Sequence, residues 1–115
     1  MGWLVHEGRV LASADIATSR SERRRGLMGR DAVEIALVLR PCRQVHTFGM
    51  RIPIDVVWCD EEGRVLRVAT VRPARVTRVV LRARFVIEAD AGASARWGLQ
   101  VGDVLEVEGE AEAEG

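Results

Sequence analysis

The sequence predicts a mainly β protein: one antiparallel β-sandwich or barrel of about eight short strands, with a single short helix near residues 20–25. Three observations carry that prediction. The chain has 115 residues, close to the usual size of one domain. Short apolar runs recur at close spacing, separated by Gly, Pro and acidic turn residues. Apolar residues make up 48% of the chain, enough for a core without a disulfide or metal staple.

The first two runs, Trp3 to His6 and Arg9 to Ile16, flank Glu7-Gly8 and read as an opening hairpin. Period-two alternation places Val10, Ala12, Ala14 and Ile16 on one face. Ser19-Arg20-Ser21-Glu22 then fits a capping box, Arg23-Arg24-Arg25 suits a helix C-terminus, and Gly26 is a natural stop. Strands follow at Glu34 to Leu39, Ile54 to Cys59 and Arg64 to Val71; Glu61-Glu62-Gly63 turns the chain between the last two. Arg75 to Leu81, Phe85 to Ala89 and Val104 to Val107 continue the pattern, with a helical turn over Ala91 to Trp97 ended by Gly98. The β-rich domain is thus expected over residues 1–107. Glu108 to Gly115 reads as a disordered acidic tail.

Net charge is zero but unevenly distributed. From Arg20 to Arg84 there are 15 Arg against 7 acids; from Phe85 to Gly115 there is one Arg against 8 acids. Such a split suits a basic face for nucleic acid or anionic lipid. Mixing of both signs on the folded surface is the simpler reading, because no cluster exceeds Arg23-Arg24-Arg25. Nucleic acid is disfavoured as a partner, since Arg72, Arg75, Arg78, Arg82 and Arg84 have little aromatic interleaving beyond Phe85.

Cys42 and Cys59 read as reduced thiols. The first residues show neither the basic start nor the apolar run of a signal peptide, so a cytoplasmic protein is expected. No apolar run approaches the ~20 residues that span a bilayer. A monomer is the default oligomeric state. Neither cofactor nor metal is expected: Cys42-x-x-x-His46 has a permissible spacing for zinc, but a second ligand pair is missing.

Gly26-Leu27-Met28-Gly29-Arg30 resembles the GLM-x-R motif of the domain of unknown function 192 family. Phe48-Gly49-Met50 with Ile52-Pro53-Ile54-Asp55, the strand Phe85 to Gly92, and Gly98-Leu99-Gln100-Val101-Gly102-Asp103 resemble its later segments, in order, over roughly residues 9–107. Gly49 stands where the family often has Trp, and the stretch from Met50 to Pro53 is shorter than usual. The resemblance implies a compact β-sandwich with one short helix and brings no established activity.

Glu88 lies on the opposite strand face from Phe85 and Ile87. Buried there, it needs an ionic or hydrogen-bonding partner, for which Arg30 is the candidate, with Asp55 as a second acid. A structural Arg–carboxylate pair is the simpler explanation of these residues. The functional reading is a pocket lined by Arg30, His46, Met50, Asp55 and Glu88 and rimmed by Met28 and Trp97. It would accept an unidentified small molecule or protein segment and make the chain a binding or accessory module. Two alternatives remain open: a small hydrolase using Asp55 and Glu88, and a basic-face adaptor for nucleic acid or anionic membrane. No Ser-His-Asp, Cys-His or phosphate-loop signature occurs, so catalysis is the less favoured class.

Overall fold

The structure, a computed structural model, describes residues 2–18 and 36–109. Seven strands among these residues form one sheet: β1 Gly2–His6, β2 Arg9–Ala17, β3 Ala36–Leu39, β4 Ile54–Cys59, β5 Val65–Val71, β6 Phe85–Asp90 and β7 Leu105–Gly109. Their spatial order is β5-β4-β6-β3-β2-β1-β7. All neighbours are antiparallel except β2 and β3, which run parallel. A four-residue helix, α1 (Ala93–Arg96), follows β6. The helix expected near residues 20–25 lies outside the described residues, as do Met28 and Arg30.

The opening hairpin and the β4–β5 hairpin form where the sequence predicts them. In the second, Asp60 Oδ1 accepts hydrogen bonds from the amides of Glu62 and Arg64, both at 2.9 Å, which fixes the turn. One alternation needs correcting. Val5 pairs with Val10 but Leu4 with Ala12, so a bulge at Leu11 resets the register. Val10 thereby turns away from the face of Ala12, Ala14 and Ile16 and is 57% exposed.

The predicted strand Arg75 to Leu81 is also revised. It contributes one isolated bridge, His46 to Val76, in place of a ladder. Threonine side chains occupy backbone groups that a ladder would use. Thr77 Oγ1 accepts from the Val45 amide at 3.1 Å, and Thr47 Oγ1 accepts from the Arg75 amide at 2.8 Å. This accounts for seven strands among the described residues where eight are expected. Glu108 and Gly109 pair with Trp3 and Gly2 in the sheet; residues 110–115 lie outside the described set.

The sheet curls like a half-barrel, and its edge strands meet at one end. Arg64 bridges Val104, the Val65 amide donates to Asp103 O at 2.7 Å, and the Leu105 amide donates to Gly63 O at 2.9 Å. Gly63 has φ +88°, and a Cβ there would collide with the Leu105 carbonyl, so this junction requires glycine.

Each face of the sheet carries its own core. One cluster draws a residue from every strand, among them Leu4, Ile16, Val38, Val57, Val65, Ile87 and Leu105, as the concave face of a curled sheet must. The other contains Leu37, Leu39, Ile54, Val56, Trp58 and Val86 and is covered by Val45, Met50 and Ala83 from loops. With both faces covered, β4 and almost all of β6 are buried, which explains their near-continuous apolar sequences.

Candidate functional site

Asp55 interrupts the apolar run of β4 on the face of Val57 and Cys59, which pack in the concave core. It is 1% exposed and fully engaged. Thr70 Oγ1 donates to Oδ1 at 2.7 Å; Oδ2 accepts from the Gly92 amide at 3.2 Å, the Ser94 amide at 3.0 Å and Ser94 Oγ at 2.6 Å. Burial alone would raise its pKa, but the bonds from Ser94, Thr70 and Gly92 outweigh burial and hold it below the ordinary carboxylate value. Gly92, the N-cap of α1, sits in left-handed geometry and brings no capping side chain of its own. Asp55 supplies that cap from a neighbouring strand and fastens α1 over the sheet.

Glu88 pairs with Val56 and Leu37 and faces the other core. Asp55 pairs with Ala89, so the two carboxylates project from opposite faces of the sheet. They do not form the acid–base pair considered for a hydrolase, nor can they share one guanidinium. Met50 is buried in the loop-covered core. His46 stands outside that core, its Nδ1 accepting from the Phe48 amide at 3.2 Å and its ring 5.5 Å from that of Phe48. Trp97 ends α1 and packs against the concave core. The described members of the expected pocket are therefore dispersed over two faces.

A different set of residues converges. The loops 40–50 and 72–84 zip together as a cap over the second core: Thr47 N to Arg75 O is 2.8 Å, Thr77 N to Val45 O 3.0 Å, Val80 N to Arg43 O 3.0 Å and Cys42 N to Arg84 O 3.0 Å. Trp58 Nε1 ties the cap to the sheet by donating to Arg43 O at 3.1 Å. Where the cap meets β5, a groove of about 330 Å³ opens, lined by Trp58, Ala69 and Val71 together with Arg72, Arg75 and Arg78. Arg67, at the groove, lays its guanidinium 5.6 Å from the centre of the Trp58 ring. Its Nε is buried with no hydrogen-bond partner among the described residues.

None of Arg67, Arg72, Arg75 and Arg78 forms an ion pair among the described residues, where Arg96 binds Asp90 at 2.7 Å. The sequence signal for this groove is the run from Arg64 to Arg84, which holds seven arginines and no acid. The recognised Arg72 to Arg84 stripe is part of it. Arg67 and Trp58 were missed, because only the pairing of Trp58 with Arg67 across β4 and β5 brings them together.

Cys59 is a closed site of another kind. Burial pushes its thiol up to about 12, with Asp60 adding to the effect and Arg40 opposing it. Among the described residues no three His, Cys, Asp or Glu side chains cluster to hold a metal, and no helix is long and apolar enough to cross a membrane.

The fold and its loop cap define a small, mainly β protein with a curled mixed sheet. The chain belongs to the DUF192 family, described as an uncharacterised ACR, whose model matches residues 4–107. It is 29% identical to a UPF0127 protein of Pyrococcus abyssi, over 92% of this chain and 97% of that one. A UPF0127 protein of Thermococcus gammatolerans is 32% identical over 86% of this chain and 69% of its own length. A crystal structure of a protein of unknown function from Novosphingobium aromaticivorans shares the fold, with TM-score 0.79 and 22% identity over 92% of this chain and 84% of that chain. So does a putative transcription regulator from Sinorhizobium meliloti, with TM-score 0.75 and 22% identity over 92% and 91%.

Proposed function

We propose that this protein is a binding module whose groove beside β5 takes a small polyanion bearing phosphate or carboxylate groups. One observation carries the reading: Arg67, Arg72, Arg75 and Arg78 converge on a single hollow with an aromatic wall and no described carboxylate. Guanidinium forks match phosphate and carboxylate in two-point geometry. Arg67, restrained above Trp58, loses less freedom on binding than a fully solvated arginine. In this reading Asp55 and Glu88 support the frame and do not touch ligand. The buried thiol of Cys59 and the absence of a disulfide suit a reducing cytoplasm.

Thermal unfolding in inorganic pyrophosphate and in citrate tests the proposal. A specific site raises stability by about 2.7 kcal/mol at a hundredfold excess over Kd, and the gain falls as salt is added. Arg72→Ala with Arg78→Ala should remove the shift while leaving the ligand-free melting temperature within a few degrees. Equal shifts in this variant and the wild type, or no shift with either anion, would refute the site.

A further inference from the structure

The outer surface of the cap carries a pattern that a small-anion groove does not require. Phe48, Val76, Val79 and Leu81 are 50%, 57%, 46% and 78% exposed. They alternate in sequence with the exposed Arg43, Arg75, Arg78, Arg82 and Arg84. The Ala83 amide donates to Val80 O at 3.0 Å, a tight turn that puts Leu81 and Arg82 at its tip. Val79 borders an open hollow of about 560 Å³ with Pro41, Arg43 and Arg84. Neither chain segment contributing to the cap and its flanks, 40–54 or 64–84, contains an acid; together they hold ten arginines. Glu61 stands at the margin, beside Arg40 and Arg84.

We infer that this face docks the protein peripherally on an anionic lipid surface, with the Leu81 turn entering the headgroup zone. The inference goes beyond the proposed groove: the face borders the groove at Arg75, Val76 and Arg78, but Phe48, Val79, Leu81, Arg82 and Arg84 lie outside the groove's lining. Charge complementarity selects the partner. Arginines attract the acidic headgroups, and aliphatic side chains at a protruding turn gain by leaving water for the acyl boundary. Nucleic acid rewards the arginines and Phe48, through phosphate contacts and stacking, and offers little to Val76, Val79 and Leu81, three of the four exposed apolar side chains. Isolated exposed apolar residues such as Val10 need no such explanation; four beside an acid-free arginine cluster do.

Flotation of the intact protein with phosphatidylserine-containing vesicles, against pure phosphatidylcholine vesicles, is the test. The protein should float with the anionic vesicles at low salt and be released by high salt. Arg82→Ser and Arg84→Ser, both outside the groove, should each weaken partitioning by about fivefold. Leu81→Asp should weaken it by about tenfold or more without lowering the melting temperature, and Val10→Asp should leave it unchanged. Absence of flotation with anionic vesicles, equal flotation with both lipids, or wild-type flotation of Leu81→Asp overturns the inference. So does tighter binding to duplex DNA than to the anionic vesicles at the same ionic strength. The pyrophosphate shift measured on Leu81→Asp separates the two proposals: a retained shift with lost flotation leaves the groove standing while the cap face is confirmed.

Discussion

Replacing Asp55 tests the claim that this buried acid is a structural clasp. Its carboxylate receives four hydrogen bonds, two of them from the buried amide and hydroxyl of Ser94. Asp55→Ala strands those donors, at about 1–3 kcal/mol for each buried group. The Thr70 hydroxyl can rotate toward other acceptors and the Gly92 amide is only part-buried, so they add little. The expected loss is about 3–5 kcal/mol, a large share of the roughly 5–15 kcal/mol that holds a domain of this size together. Asp55→Asn keeps the shape and one acceptor but gives up charge assistance, for a loss of about 1–2 kcal/mol. The acid limb provides a second readout. A carboxylate whose folded pKa lies below its unfolded value stabilises fully above the unfolded pKa, about 3.9, and that contribution disappears as pH falls through the folded pKa. Wild type should therefore lose stability as pH falls below about 4, and Asp55→Asn should lose less over the same window. Urea unfolding at neutral and acid pH measures both effects. A midpoint for Asp55→Ala within about 1 kcal/mol of wild type, or parallel acid limbs for wild type and Asp55→Asn, would refute the clasp.

The cap makes a prediction of its own. Thr47 Oγ1 donates to Arg72 O at 2.6 Å and accepts from the Arg75 amide, so Thr47→Val should cost about 2 kcal/mol and speed hydrogen exchange at Ala74 and Thr77. Unchanged exchange at those amides would show that the threonine does not hold the loops together. The thiols should separate in the native protein at pH 8. With its pKa near 12, Cys59 is about one part in ten thousand thiolate there, so a disulfide reagent should modify partly exposed Cys42 and reach Cys59 only on unfolding. Two fast-reacting thiols in the folded state would contradict the burial of Cys59.

The hairpins were legible because each depends on neighbours in sequence. Glu7-Gly8 and Glu61-Glu62-Gly63 are turn chemistry set between alternating runs, and the structure places strands on both sides of each. Period-two alternation along β4 likewise sends Trp58 and Cys59 to opposite faces, each into an apolar core. The Leu11 bulge was not legible, because an extra residue leaves the apolar pattern readable and changes only the direction of Val10. Arg75 to Leu81 misled for a related reason. Val76, Val79 and Leu81 have the composition of a strand, but Thr47 and Thr77 take the backbone groups, and the apolar side chains remain in water. The partners of Asp55 were invisible, since Ser94 is 39 residues away and reaches it only because α1 folds over β4.

Hydrogen-bond capacity explains why the acids make a poor candidate site and the arginines a better one. Asp55 Oδ2 already accepts three bonds and Oδ1 one, all from its own chain, so a ligand would have to displace donors that hold α1 in place. Around the β5 groove the balance is reversed. Each guanidinium carries five N–H donors. Of the four arginines there, Arg75 spends one on Ala74 O at 3.3 Å, while Arg67 Nε is buried without an acceptor among the described residues. Donors facing water cost little, but a buried donor with no acceptor costs about 1–3 kcal/mol. An oxyanion in the groove would meet the N–H donors that Arg72 and Arg78 bring to its lining. The groove thus has donors to offer a ligand, whereas the clasp at Asp55 has nothing left to gain from one.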